Sequence, residues 1–334
     1  MNNLHQNRDW TKDFEDDIIF ETLVGSHIYG TNTPLSDTDY RGVVIPPRHV
    51  REGMLQNFEQ KEGWAEPQYK TFPKERVEDR VIYALKKFMK LCTEANPSIL
   101  ELLFVPEKFW IRPKRLYFQV DPWTMILENR ESFLSKKAKY TFTGYAHSQL
   151  SRIKRHRVWL LNPPKIEPTR EGYGLPPNPL LSSEQYSAML TIPAYALGAE
   201  WQEEARREKA YHEARMYWNM YADWKKTRNP KRAELEAKYG YDTKHASHLV
   251  RLCYEGEELL MTGKITLPRP EIDELRAVIE GLYNYDQLIE RFERFDEKFE
   301  VMYDESKLPH SPDLKKVNDL YLKIISRWDE HETE

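Results

Sequence analysis

Gly25-Ser26 is followed, after ten residues, by Asp37-Thr38-Asp39, and this arrangement constrains the fold of the 334-residue chain more than any other feature. Residues 16–24, DDIIFETLV, read as a buried strand that ends at Gly25. Residues 39–46, DYRGVVIP, read as a second strand, stopped by Pro46 and Pro47. The piece between them, SHIYG at 26–30, then makes a tight turn or a short helix. A third strand over 77–83, VEDRVIY, runs into an amphipathic helix, ALKKFMKLCTEA, with Leu85, Phe88, Met89 and Cys92 on one face. Asn96-Pro97 breaks that helix. Strands interleaved with helices make residues 1–130 a mixed α/β (α+β) unit.

The segment carries its own chemistry. Gly25 lets the backbone turn sharply and approach a phosphate, and Ser26 offers a hydroxyl and a nearby N–H to triphosphate oxygens. Asp37 and Asp39 are two apart at a strand start, so both carboxylates project to one face. Two carboxylates beside a phosphate cradle form an oxygen-ligand site for Mg²⁺ or Mn²⁺, and a third on a neighbouring strand would complete a two-metal site. Alone, an Asp-x-Asp is often a turn pair and a Gly-Ser is commonplace in loops. Their order between two strands favours nucleotide chemistry. A metal-dependent nuclease also clusters carboxylates, but it would leave the Gly-Ser cradle without a purpose.

Beyond residue 130 the chain reads as helical: residues 131–157, 184–226, 242–262, 271–280, 284–303 and 313–330 carry helical periodicity. A Pro- and Gly-rich loop, NPPKIEPTREGYGLPPNP, separates the first two. Nine Trp and twenty Tyr exclude a disordered composition. Cys92 and Cys253 cannot build a disulfide framework, which points to a reducing, cytoplasmic setting. Residues Met1 to Phe14 are polar and lack the apolar core of a signal peptide, and no apolar run is long enough to span a membrane.

The net charge of −4 argues against a generally basic nucleic-acid coat, yet residues 132–157 hold seven Lys and Arg and no acid: Lys136, Lys137, Lys139, Arg152, Lys154, Arg155 and Arg157. One reading is a phosphate-tracking surface for RNA; the other is a solvated amphipathic helix with Ala138, Phe142, Tyr145 and Ile153 as its buried stripe. The interleaved Phe133, Tyr140, Phe142 and Tyr145 read as core rather than as stacking platforms. Further on, Asp242 is a good N-cap, and Lys244, His248 and Arg251 share one helix face opposite Ala246, Leu249, Val250 and Cys253. Such a cationic face suits a triphosphate, since the metal neutralises only part of its charge. The alternative is a structural helix facing an acidic surface. Zinc is disfavoured because His245 and His248 have no third or fourth ligand spaced nearby.

Four blocks carry a resemblance: GSHIYGTNTPLSDTDYRGVVIPP, DRVIYALKKFMKLCTEANPSILELLFVP, FLSKKAKYTFTGYAHSQLSRIKR and GYDTKHASHLVRLCYEGEELLMTGKITLPRP. On these the chain resembles the predicted nucleotidyltransferases of the DNA polymerase β superfamily that are associated with RNA repair. The resemblance implies a polymerase-β-type nucleotidyltransferase core, residues 1–130, followed by a mainly helical domain, residues 131–334, that completes the nucleotide and acceptor cleft. The family pattern also places an acid before the Tyr83-Ala84-Leu85-Lys86-Lys87-Phe88 helix, which Asp79 matches; Glu78 would face the other side of the strand. Asp37, Asp39 and Asp79 are then the expected catalytic and metal-binding residues, and Gly25, Ser26, Lys244, His248 and Arg251 the expected nucleotide-binding ones. The implied reaction moves a nucleoside monophosphate from an NTP to an acceptor hydroxyl, first an RNA 3′ end such as that of a tRNA. Nucleotidylation of a protein or small-molecule hydroxyl, AMPylation for example, is the alternative, and a non-catalytic nucleotide-binding module the weaker one. Glu101 belongs to a family-like block without an assigned role.

Overall fold

β-branched and aromatic residues crowd Ile18–Leu23, and there every side chain is buried, polar Glu21 and Thr22 included. In the computed structural model, which describes residues 15–34, 36–54, 58–62, 77–111 and 121–332, this is strand β1. The reading of Met1 to Phe14 falls outside those residues. After β1 come α1 (Ser26–Tyr29), β2 (Thr38–Val44), α2 (Arg48–Arg51), β3 (Gln60–Lys61), β4 (Val77–Ala84), α3 (Leu85–Thr93), α4 (Pro97–Leu100) and α5 (Pro122–Glu128). The remaining helices are α6 (Ala138–Leu161), α7 (Ser183–Met189), α8 (Ala194–Leu197), α9 (Ala199–Thr227), α10 (Pro230–Tyr239), α11 (Thr243–Thr262), α12 (Ile272–Ile279), α13 (Tyr285–Glu305) and α14 (Leu314–Glu332). The fold is the expected one, a mixed sheet with helices followed by a helical region.

Among the described residues the sheet has the order β1-β2-β4-β3. β1 and β2 are antiparallel, β2 and β4 parallel, and β3 and β4 antiparallel. Ile18, Val44 and Ile82 pack on one another from three strands, with Phe58 against them. Trp123 of α5 stacks on Phe20 of β1 with ring centroids 3.7 Å apart, and Phe88 of α3 meets the same indole. Such an aromatic pair contributes about 0.5–1.5 kcal/mol beyond the area it buries. The free edge of β1 is covered: Thr22 bridges to Trp110, and the Ile111 N–H donates to the Glu21 carbonyl. The α3 face is the predicted one, with Leu85, Phe88, Met89 and Cys92 all buried.

The chain parts into two compact units, residues Met1–Leu150 with Lys244–Glu334, and residues Ser151–Thr243. This division differs from the boundary expected at residue 130. Residues 244–334 belong with the sheet, because long-range contacts outweigh sequence order. The Lys136 N–H donates to the Pro309 carbonyl, the Asp313 N–H donates to the Ser132 carbonyl, and Arg51 pairs with Asp329 of α14.

The second unit is helical. Trp159 of α6 sits among Tyr217, Tyr221 and Trp224 of α9, and the Arg228 guanidinium lies 4.7 Å over the Trp224 ring. The single helix expected over 184–226 is three, because Pro193 lacks an N–H to continue the ladder and Gly198 adopts a positive φ. No helix of the described residues is long and apolar enough to cross a membrane.

Candidate active site

β2 and β4 pair in parallel register with Asp39 opposite Asp79. Opposed residues on neighbouring parallel strands project to the same face, with backbones about 4.8 Å apart. The alignment depends on a bulge: Thr38 pairs with Val77 and Asp39 with Asp79, so Glu78 is the extra residue. Asp37 lies two residues before Asp39, half-buried, just ahead of the strand. Asp39 and Asp79, both half-buried, are therefore gathered by one strand pair.

One neighbour was not expected. Arg41 shares the Asp39 side of β2 by simple alternation, and its Nη2 donates to Asp79 Oδ2 at 2.8 Å. Tyr83, two pairs further along β4, lies beside the same guanidinium; burial pushes its phenol up, and Arg41 pulls it down. The i+2 spacing of Asp39 and Arg41 was the sequence signal that could have found this residue.

Gly25 turns the chain out of β1. Its φ is +65° and ψ −139°, a combination open to glycine alone, and a Cβ there would stand 3.5 Å from Asp39 Oδ2. The Val24 N–H donates to the Asp39 carbonyl at 3.0 Å, fixing the end of β1 against the acidic strand start. Ser26 then opens the short helix α1, as one of the two predicted readings had it. The missing Cβ leaves room beside Asp39, and the donors are all carboxylate oxygens, so the residues fit a hard divalent cation such as Mg²⁺ or Mn²⁺.

Residues from the far end of the chain grip α1. The Tyr29 hydroxyl donates to Glu101 Oε1 and Oε2 at 2.9 and 3.0 Å. Arg251 of α11 lies 4.0 Å over the Tyr29 ring and donates to Glu101 at 3.1 Å and Glu255 at 2.6 Å. Glu101, Arg251 and Glu255 are buried and Tyr29 is half-buried, and loss of water pushes both the Tyr29 phenol and the Glu101 carboxyl up, the latter to about 8. Arg276 also donates to the Gly30 carbonyl at 2.6 Å, and the Arg269 N–H donates to the Tyr29 carbonyl. Gly30 sits at φ +81°, where a Cβ would also press on Ile272 Cδ1 at 2.6 Å and force that side chain to move.

The expected cationic face of α11 is therefore not uniform. Lys244 is exposed and His248 half-buried, but Arg251 is 5% exposed and held by two carboxylates. Its Glu255 partner stands four residues on, a pairing legible in the sequence. Glu101 is the acceptor that joins α1 to α11.

The basic helix is divided in the same way. Lys139 pairs with Glu300 of α13, and His147 lies 3.4 Å from Asp296. Arg152, Lys154 and Arg155 are exposed, with no acidic partner among the described residues. Ala138, Phe142 and Ile153 are buried as expected. Tyr140 and Tyr145 are not: Tyr140 is 59% exposed and edge-on to Tyr303, and the Tyr145 hydroxyl accepts from Asn96.

Residues 3–160 match the family model RlaP, the RNA repair pathway DNA polymerase beta family. Over this part the chain is similar to that polymerase-β-like nucleotidyltransferase family. The RlaP match takes in Gly25, Ser26, all three aspartates, Arg41, Tyr29 and Glu101, and it stops before Arg251. A second similarity is to an uncharacterized 38.9 kDa protein of the nrdC-mobD intergenic region of enterobacteria phage T4. The two are 30% identical over 136 residues, which is 40% of this chain and 38% of the phage protein. No solved structure matches.

Proposed function

We propose that this chain is a divalent-cation-dependent nucleotidyltransferase that moves a nucleoside monophosphate from an NTP to an acceptor hydroxyl, the acceptor being an RNA 3′ end. The observation that carries the reading is the parallel pairing of Asp39 with Asp79, with the open side of Gly25 against Asp39. Asp37, Asp39 and Asp79 hold Mg²⁺ or Mn²⁺, which supplies charge neutralisation to the triphosphate when bound. Ser26 contacts phosphate from the start of α1, with Lys244 and His248 as further phosphate contacts. Arg251 acts indirectly, by holding Tyr29.

In the reaction the acceptor oxygen forms a bond to the α-phosphorus as the bond from that phosphorus to the bridging oxygen breaks. Pyrophosphate leaves with the bonding electrons, and the hydroxyl proton passes to Asp79. RNA as acceptor draws support from the family's association with RNA repair and from the exposed Arg152, Lys154 and Arg155. The test is incubation of the full chain with labelled NTPs, Mg²⁺ and either total RNA or a protein extract. Label in RNA supports the reading. Label in protein alone replaces RNA by a protein hydroxyl, and label in neither overturns the transferase assignment.

A further inference from the structure

The pleat sends two arginines of neighbouring strands to opposite faces of the sheet. Arg80 of β4 goes to the buried face, where its Nε donates to Glu21 at 2.5 Å and its Nη2 to Glu15 at 2.8 Å, leaving it 1% exposed. Both of its carboxylate partners lie away from the Asp39 and Asp79 face, and the pair is enclosed. Arg41 of β2 goes to the face of Asp39 and Asp79. It is tethered by one donor to Asp79 at 2.8 Å and by another to the Tyr40 carbonyl at 2.9 Å, with side-chain exposures of 23% for Arg41 and 44% for Asp79.

We propose that Arg41 is the phosphate-binding cation of this site, held on Asp79 until a divalent cation takes that carboxylate. The inference rests on the nucleotidyltransferase reading and adds to Ser26, Lys244 and His248 a cation on the carboxylate face itself, a place Arg251 cannot fill because Glu101 and Glu255 enclose it. Carboxylates on one face repel one another when no cation is bound, and the guanidinium offsets part of that repulsion. A divalent cation competes for the same Asp79 oxygens. Once the cation takes Asp79, Nη2 is released on the carboxylate face while Nη1 stays on the Tyr40 carbonyl, and the released end of the guanidinium suits a phosphate oxygen. The ligand class is the triphosphate of a nucleotide bound with its cation. Partial exposure allows the exchange, which the enclosed Arg80 could not make.

The test uses the full chain, wild type and the variants Arg41→Gln and Arg41→Lys. Mn²⁺ binding is followed by electron paramagnetic resonance, and binding of inorganic triphosphate in saturating Mn²⁺ by calorimetry; the triphosphate probe needs no base preference. Loss of a charged hydrogen bond corresponds to about tenfold in affinity, so Arg41→Gln is expected to bind Mn²⁺ about tenfold more tightly and triphosphate about tenfold more weakly. Arg41→Lys, which keeps the charge without the fork, should fall between. If Arg41→Gln does not fold, Arg41→Lys carries the same two opposed shifts at smaller amplitude. Unchanged triphosphate binding, or Mn²⁺ binding no tighter than wild type, overturns the role of Arg41 while leaving the transferase reading intact. A wild-type chain that takes up neither Mn²⁺ nor triphosphate overturns the transferase reading itself.

Discussion

The Tyr29 hydroxyl donates to both carboxylate oxygens of Glu101, at 2.9 and 3.0 Å, and so ties the turn after Gly25-Ser26 to the end of α4. Burial pushes Glu101 from the usual carboxylate value of 4.5 up to about 8, with Glu255 adding to the rise and Arg251 opposing it. Between those values the folded chain keeps a proton that the unfolded chain has lost, so raising the pH favours unfolding. The stability from this group is complete below about 4.5 and is lost as pH rises to about 8. Glu101→Gln keeps the shape and removes the titration. Its urea midpoint should gain on wild type between about pH 5 and pH 8.5, and an equal difference at both would refute the raised carboxyl.

Arg251→Met leaves the Glu255 carboxylate buried without its cation, Glu101 holding its proton near neutral pH, and removes the cover from the Tyr29 ring. Breaking a buried pair in this way costs about 3–5 kcal/mol, to be read from urea denaturation near neutral pH. A change under about 1 kcal/mol would mean that the surroundings relax to admit water.

Gly25→Ala places a side chain on a backbone at φ +65° and ψ −139°, facing Asp39. Strain at such a position costs about 1–3 kcal/mol. Divalent-cation affinity should fall together with the melting temperature. Calorimetry with Mn²⁺ showing full affinity in the folded variant would remove Gly25 from the site.

Asp39→Asn and Asp79→Asn each keep the side-chain shape while withdrawing one negative charge from the cation-binding face. Both positions are half-buried, so stability should change by less than about 1 kcal/mol while nucleotide transfer drops by about 10²–10⁴-fold. Transfer within twofold of wild type in either variant would exclude that carboxylate from the chemistry.

Replacing Arg152, Lys154 and Arg155 together by Ala should weaken RNA binding and reduce its salt dependence, because each phosphate contact releases counterions. The slope of log affinity against log salt should become shallower by about 2 for a single-stranded acceptor. Filter binding over a salt series decides it, and an unchanged slope would move the RNA surface elsewhere.

The local part of the site was legible because it depends on neighbours in sequence. Gly25-Ser26 and Asp37-x-Asp39 need only the strand on either side, and the apolar face of α3 needs only its own periodicity. The Arg251–Glu255 spacing was equally local, yet the helix pattern grouped Arg251 with exposed Lys244, since periodicity marks a shared side and not what packs there. Tyr140 and Tyr145 were placed in the core for the same reason: aromatic character favours burial without securing a partner. The boundary at residue 130 followed a change from strands to helices, while the compact units follow long-range hydrogen bonds and ion pairs.

By itself, the sequence determined the glycine turn, the strand that presents Asp39, and the family that residues 3–160 resemble, because each is written in a continuous stretch of chain. Only the tertiary structure decided how Asp79 comes into register with Asp39 and what the charged side chains hold. A bulge at Glu78 sets Asp79 in register, Arg41 reaches Asp79, and Arg251 closes on Glu101, 150 residues away. Strand register and buried ion pairs are long-range choices, made by burial and charge pairing between segments that no local pattern connects.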